Sequence, residues 1–333
     1  MNEKMLAVWY ERTGTATDVL QMGEVSRPMA GPGEVRVRLA FSGINPTDVK
    51  SRAGRRGMPP FDRVIPHHDG AGIIDQVGAG VPDSRLGERV WVFAAAYERS
   101  SGTAAEFVTL PSAHAVALPS AASMEVGACL GVPALTAWRA VSSGQGIKGD
   151  CVLVAGGAGA VGLYAIQMAK ALGAARVLAT VGNAKNAAVA QDAGADVVID
   201  YRRADVVADV MRHTSGEGVD CVIELDAAAN METDLHVLKK RGRIVVYGSS
   251  NLRFEVLFYQ AIRQDVSIDI FSVFNLTGEK LKAGEEFITR LLIEDGLKHR
   301  IGQRFPLEHC AQAHELVESG HANGKVLLQM PNP

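Results

Sequence analysis

The sequence predicts an α/β protein of two domains, an all-β, barrel-like one and a doubly wound parallel sheet. Three observations carry this reading. Beyond Asp150, strand-like runs alternate with helix-like runs, the pattern of parallel strands joined by crossover helices. Gly157, Gly159 and Gly162 stand at G-x-G-x-x-G spacing between an apolar strand signal and a helix signal. Ahead of Ser123, short strand signals recur with no regular helix between them. A chain of 333 residues also suits two domains of roughly 150 residues better than one.

Strand signals open the chain within 5–49 (LAVWY, EVRVRLAFSG), parted by the turn cluster at 29–33. Others lie at 72–77, 89–93 and 105–109. Residues 124–141 read as helical segments broken at Gly131 and Pro133, and 144–150 as a loop. The second domain reads as strands at 151–155, 176–181, 196–200, 219–224, 243–248 and 266–271. Helix signals fall between them, from Val161 onward and at 184–193, 204–213 and 230–240. Helical signals at 279–294 and 307–319 and a strand at 325–329 return the chain to the first domain.

An apolar fraction of 47% with 21% charged residues is that of a globular chain able to bury a large core. The net charge of −3 offers no nucleic-acid surface, and the scattered Arg–Arg pairs read as solvated faces. Cys129, Cys151, Cys221 and Cys310 stand far apart, which points to a reducing, cytoplasmic setting rather than a disulfide framework. The first residues lack the apolar core of a signal peptide. Residues 151–169 carry no charge and could fill a membrane-span window, but glycines crowd their first half. They read as buried strand, loop and helix, so no membrane segment is expected.

Each glycine of the motif has a physical task at a dinucleotide. The first permits a tight turn, the second lets backbone N–H groups approach a pyrophosphate, and the third lets helix and strand pack closely. Ala160 and Val161 lie between the second and third, where a helix begins whose unpaired N–H groups and partial positive charge suit an anion. Selecting NAD calls for an acidic residue about 20 positions further on, to accept from the ribose 2′-OH. From Cys151 through Gln191 there is no Asp or Glu, which removes the main obstacle to a 2′-phosphate. Lys185 can pair with that phosphate, while Gly182 and Asn183 can offer donors beside it. Alternatively Lys185 only solvates a helix start. NADPH is the cofactor expected.

Several segments together resemble the medium-chain dehydrogenase/reductase superfamily, within it the zinc-independent quinone oxidoreductase (zeta-crystallin-like) branch. They are GINPTD at 43–48, DGAGIIDQVG at 69–78, LGERV at 86–90, LTA at 135–137 and the 151–173 stretch. GADVVIDY at 194–201, GVD at 218–220 and GKVLL at 324–328 complete the set, in family order along nearly the whole chain. The resemblance implies a GroES-like catalytic domain over 1–122 plus 273–333 and a Rossmann domain over 123–272. It also implies a homodimer made by edge-to-edge pairing of the cofactor-domain sheets.

By the same resemblance, Tyr201 is a further 2′-phosphate contact, and Tyr247, Gly248 and Ser249 sit beside the adenosine or its ribose. Phe271 and Val273 bound a segment that holds the nicotinamide through backbone groups. Asn45, Thr136 and Lys325 reach the nicotinamide end or the phosphates, although Lys325 reads equally as a strand-edge lysine. Thr47 matches a hydroxyl proton relay of zinc relatives, or is a turn residue after Pro46. Asp48 is mainly structural.

Zinc relatives place a Cys at Asn45, a His at His68, an acid at Asp69 and a third ligand near Val132. Here only His68 and Asp69 survive, short of the three N or S ligands a catalytic zinc needs. The four-cysteine structural lobe is also absent, since 97–105 contains no Cys. His67, His68 and Asp69 suit a structural His–Asp hydrogen bond. Cys310 and His314 share a helix face without a third partner, as a packed cysteine and a surface histidine. No metal is expected.

The reaction implied is NADPH-dependent hydride transfer to a quinone or conjugated enone, where charge spreads onto a conjugated oxygen without Lewis-acid help. Lys50 and Arg56 stand where quinone reductases often carry tyrosines. They either stabilise a developing enolate or lie in solvent on the loop at 52–60. If they face the nicotinamide, another activated alkene (an acrylate or enoyl thioester) is the acceptor. A non-catalytic NADPH-binding sensor or crystallin-like protein is the remaining alternative.

Overall fold

The structure, a computed structural model, describes residues 3–55, 57 and 60–331. The chain begins β1 (Lys4–Trp9), α1 (Ala16–Val19), β2 (Gln21–Ser26), β3 (Glu34–Ile44) and α2 (Pro46–Arg52). Next come β4 (Asp69–Val77), β5 (Arg89–Val92), β6 (Phe107–Pro111), β7 (Ala115–Ala117) and the long helix α3 (Met124–Val141). Alternation follows with β8 (Cys151–Val154), α4 (Ala160–Ala171), β9 (Arg176–Val181), α5 (Ala184–Asp192), β10 (Val197–Asp200) and α6 (Val206–His213). It continues through β11 (Val219–Glu224), α7 (Ala227–Val237), β12 (Leu238–Val246), α8 (Phe258–Gln264) and β13 (Ser267–Ile270). Last are α9 (Gly278–Ile293), β14 (Ile301–Pro306), α10 (Cys310–Glu318) and β15 (Lys325–Gln329).

Two compact units result: Met1–Val132 with Thr289–Glu294 and His299–Pro333, and Pro133–Ile288 with Asp295–Lys298. The first is organised around β3. Its alternation of Val35, Val37 and Leu39 with Arg36 and Arg38 buries one face, and the three apolar residues are fully enclosed. Each such side chain contributes about 1.5–3 kcal/mol by leaving water. On the other face Arg36, itself buried, forks onto both oxygens of Asp75 across the strand pair, at 2.9 and 3.0 Å. The sheet order is β14-β15-β3-β4-β5-β7, with β6 also on β3. Antiparallel pairing sets Gly43 opposite Asp69 and Ile44 opposite Val326. This register therefore brings the end of β3 beside the starts of β4 and β15.

The second unit is a six-stranded, wholly parallel sheet in the order β10-β9-β8-β11-β12-β13. The inner strands β8 and β11 are almost wholly buried, as a parallel sheet covered on both faces requires, whereas the edge strand β13 is half exposed. Chain order reverses between β8 and β11, the switch point outside whose strand ends ligands of such sheets bind. The uncharged 151–169 stretch resolves into β8, a turn and most of α4, and no helix among the described residues is long and apolar enough to cross a membrane.

Two local expectations are corrected. α3 runs unbroken through Gly131 and Pro133. Both residues are buried, so tertiary packing outweighs the local breaker signal. The helix expected over 230–240 ends at Val237, because Leu238 is buried in the core and pairs with Val219 of β11. Arg241 then turns with φ of 65°.

Candidate functional site

In the second unit every expected cofactor residue except Thr136 and Val273 lies in or next to a turn at a strand's carboxyl end or in the first turn of a following helix. Beyond β8 the tight turn is made by Gly156, whose φ is 66°, one residue before the motif. Gly157, expected to make it, is needed for want of room: a Cβ there would stand 2.7 Å from that of Ala179. At Gly162 a Cβ would meet the Gly156 carbonyl oxygen at 2.3 Å, the helix–turn packing expected of the third glycine. Gly159 differs, since a Cβ there meets only the Gly156 oxygen, at 3.2 Å. Beyond its chain neighbours, no other atom comes within 4 Å of that point, which leaves space beside Gly159. Gly159 is the N-cap of α4 and supplies no side-chain cap, so the first-turn amides of Ala160, Val161 and Gly162 face that space without one.

Thr180, which the sequence reading passed over, braces this turn. Gly156 N–H donates to its Oγ1 at 3.1 Å and Gly157 N–H to its carbonyl at 2.9 Å. The available signal was a lone hydroxyl ending an apolar strand.

Beyond β9, Gly182 lies under the Tyr201 ring, whose hydroxyl would stand 2.8 Å from a Cβ there. Tyr201 follows β10, which pairs in parallel with β9, and is half exposed. Asn183 caps α5 by accepting from Asn186 N–H at 2.9 Å, so its acceptor is engaged while its amide donors meet no partner among the described residues. Lys185, in the first turn of α5, is exposed with no carboxylate partner among the described residues. Arg202 lies with its guanidinium 6.0 Å from the Tyr201 ring centroid, a further cation here. The sequence assigns this Arg–Arg pair to a solvated face, and Arg203 does lie out in solvent, 3.8 Å from Asp200.

Beyond β12, Tyr247 donates its backbone N–H to Glu224 at 3.0 Å, and burial raises its phenol above the ordinary range. Gly248 sits against the Leu225 carbonyl, 2.2 Å from where a Cβ would be. The Ser249 hydroxyl donates to Asn251 O at 2.7 Å. Phe271 follows β13 with Arg139 stacked on its ring at 4.8 Å, Val273 is buried in a short 3-10 turn, and Thr136 is buried in α3. Beneath them lies an acid pair with no sequence signal beyond its charge. Glu224 and Asp234 are both buried, and Asn230 Nδ2 donates to Glu224 Oε1 at 3.0 Å. Burial first, and then the Glu224 charge, push Asp234 up to about 9, so it keeps its proton at neutral pH.

In the first unit, three elements converge on Asp69. Its Oδ2 accepts from Asn45 Nδ2 at 2.7 Å and from Lys325 Nζ at 2.9 Å, and its Oδ1 from Val132 N–H at 2.8 Å. Lys325 Nζ also donates to Asn45 Oδ1 at 2.5 Å. A Cβ at Gly131 would stand 2.1 Å from Asp69 Oδ1, so only glycine lets α3 approach so closely. All three side chains are buried, and Lys325 begins a strand that lies between β14 and β3. The strand-edge alternative for Lys325 therefore falls.

Asn45 is the N-cap of α2, and its backbone N–H donates to Asp48 Oδ2 at 2.6 Å. Burial pushes Asp48 up to about 7, and His68 Nε2 is 3.6 Å from its other oxygen. The His–Asp contact is thus with Asp48, since Asp69 is taken by Asn45, Lys325 and Val132. Thr47, in the first turn of α2, has a buried hydroxyl without a hydrogen-bond partner among the described residues. Lys50 is half exposed near the end of the same helix. Arg56 lies outside the described residues.

The expected surface histidine is corrected. His314 is fully buried, because α10 packs its inner face against the sheet, and its Nε2 lies 2.7 Å from His67 Nε2. The third partner thought missing from Cys310 and His314 is therefore His67, distant in sequence. His67 itself holds a left-handed φ of 81°, a strain of about 1–2 kcal/mol for a residue with a Cβ.

Comparison with known proteins gives concordant matches. Residues 31–120 match the family model described as the alcohol dehydrogenase GroES-like domain, and 160–289 that described as zinc-binding dehydrogenase. The quinone oxidoreductase of Rattus norvegicus is 32% identical over 314 residues, 93% of this chain and 94% of that protein. The solved structure of Escherichia coli quinone oxidoreductase complexed with NADPH has a TM-score of 0.87 at 29% identity, covering 97% of this chain and 99% of that one. A solved NAD-dependent alcohol dehydrogenase has a TM-score of 0.88 at 32% identity, with 98% and 99% covered.

Proposed function

Because the chain belongs to the medium-chain dehydrogenase/reductase superfamily, in its quinone oxidoreductase-like branch, we propose that it reduces a quinone or conjugated enone with NADPH and without a catalytic zinc. The two matched domains are the GroES-like unit and the Rossmann sheet of that superfamily. NADPH, when bound, supplies the hydride. The protein's residues fit it: the space beside Gly159 at the uncapped α4 amides suits a pyrophosphate, and the Gly182–Tyr201 surface with Lys185 and Arg202 suits a 2′-phosphate. No carboxylate from Cys151 to Gln191 opposes that phosphate. Of the two solved structures one is a complex with NADPH and the other is named NAD-dependent, and Lys185, with no carboxylate partner among the described residues, favours the former.

The single observation that carries the zinc-free reading is the ammonium of Lys325. It lies between Asn45 and Asp69, where relatives that use zinc place ligands. A zinc ion there would have to displace a buried cation and accept an amide where a thiolate is wanted. Hydride transfer must then rely on positioning and on charge spreading over a conjugated acceptor. In this reading the Thr47 hydroxyl, which has no hydrogen-bond partner among the described residues, hydrogen-bonds the acceptor oxygen. The free cysteines suit a reducing, cytoplasmic setting.

A homodimer through β13 is part of this reading. That strand is an edge of the parallel sheet, and Ile270 on it and Phe258, Tyr259 and Ile262 on the neighbouring α8 are exposed. The decisive assay is NADPH oxidation with a small quinone, an enone and an enoate as acceptors. Quinone- or enone-dependent turnover is expected. Tight NADPH binding with no acceptor-dependent turnover would refute the proposal.

A further inference from the structure

Behind the Asn45–Asp69–Lys325 group, one ring nitrogen each of His67 and His314 and the Cys310 sulfur lie within 4.8 Å of one another, all buried. The hydrogen bonds around them determine which nitrogen carries each proton. Thr103 Oγ1 donates to the Asp69 carbonyl at 2.5 Å. A hydroxyl has one proton, so Ser42 Oγ must donate to Thr103 Oγ1 at 2.7 Å and accept from His67 Nδ1–H at 2.9 Å. His67 Nε2 is left with its lone pair facing His314. The 2.7 Å contact then requires His314 Nε2 to donate, which leaves His314 Nδ1 a buried acceptor without a partner.

We propose that His67, Cys310 and His314 form a buried three-coordinate site for a soft, thiophilic cation, monovalent copper. Two imidazoles and a thiolate are the donor set such a cation prefers, and the Ser42–Thr103 chain is the outer support that orients a metal-binding histidine. The 2.7 Å nitrogen-to-nitrogen contact needs a lone pair on one ring, and full burial disfavours a charge on either, so both imidazoles can offer a lone pair. No fourth His, Cys or carboxylate among the described residues joins the group, which suits trigonal coordination.

Charge selects the ion. A Cys310 thiolate and monovalent copper sum to zero, whereas zinc would leave a net positive charge near the buried cations Arg52 and Lys325. Those two are already paired, Arg52 with Glu318 at 2.7 Å and Lys325 with Asp69 at 2.9 Å. Copper replaces the His67–His314 hydrogen bond, the nitrogens parting to about 3.5 Å, the span of two ligands each about 2.0 Å from one metal at a trigonal angle. One proton leaves, from the Cys310 thiol, and the His314 ring proton passes from Nε2 to Nδ1. Copper enters as Cu(I), so no electron is transferred.

The test is anaerobic titration of the full-length, reduced protein with Cu(I) against bathocuproine disulfonate. One copper per chain is expected, with affinity lowered at least about 100-fold by Cys310→Ser and about 10-fold by Ser42→Ala, which frees the His67 tautomer. X-ray absorption of the copper-loaded wild type, which needs no variant to fold, should show one sulfur and two imidazole nitrogens on the metal. No stoichiometric copper, copper binding indifferent to Cys310→Ser, a different ligand set, or tighter binding of Zn2+ than of Cu(I) would each overturn the proposal.

Discussion

Lys325→Met tests the centre of the first unit most directly. The salt bridge it removes is 2.9 Å long between side chains 4% and 0% exposed. At an effective dielectric of about 20, two charges at that distance attract by about 6 kcal/mol, but desolvation offsets most of this in an intact pair. Removing one partner is different, because a buried carboxylate is left uncompensated, at a cost of about 3–5 kcal/mol. Asp69 keeps the donors Asn45 Nδ2 and Val132 N–H, so the lower end, about 3 kcal/mol, is expected. Urea unfolding followed by tryptophan fluorescence reads it, since Trp91 is buried on β5 opposite Ala71 of β4. Asp69→Asn combined with Lys325→Met removes both charges and should lose at least about 1–2 kcal/mol less than the two single variants summed. Zinc added to Lys325→Met should restore nothing, because Asn45 offers an amide in place of a thiolate. A loss below about 1 kcal/mol, additive singles, or rescue by zinc would refute the reasoning.

Lys185→Ala should weaken NADPH binding about 10-fold, the size of one charge-assisted hydrogen bond, and leave NADH binding nearly unchanged; equal losses by calorimetry would remove its assigned role. Exhaustive chelation should leave turnover intact, and a loss that returns on adding zinc would overturn the zinc-free reading. Asp234→Asn should flatten the alkaline loss of stability. Its folded pKa of about 9 lies above the unfolded value near 3.9, so its contribution is full below about pH 4 and lost as pH rises through 9. The variant, which cannot ionise, should gain at least about 1–2 kcal/mol over wild type at pH 8 and little at pH 4, and equal shifts in Tm at both would count against the shared proton. Ile270→Lys should give a monomer by sedimentation if β13 forms the dimer edge, and an unchanged mass would exclude that edge.

The two-domain fold class and the family were legible because they rest on contiguous signals. A strand, its glycine turn and the next helix span some twenty residues, and the alternation that follows repeats at short range. Even there the structure moved the turn itself to Gly156, since backbone handedness depends on where the strand ends rather than on motif spacing. The site in the first unit was legible only as positions. Asn45, Asp69 and Lys325 were each singled out, but nothing local showed that one carboxylate accepts from both of the others and from the α3 backbone.

By itself the sequence determined the strand–helix order, the phosphate-suited glycine turn and the absence of a carboxylate from 151 to 191. Tertiary structure alone decided that α3 passes unbroken through Pro133, that the Lys325 ammonium lies against Asp69, and that His314 meets His67 inside the core. The physical reason is range. Propensity, capping and turn chemistry act over a few residues, whereas these contacts follow from the register of β15, β3 and β4 and the face that α10 buries, each fixed by packing between segments far apart in the chain.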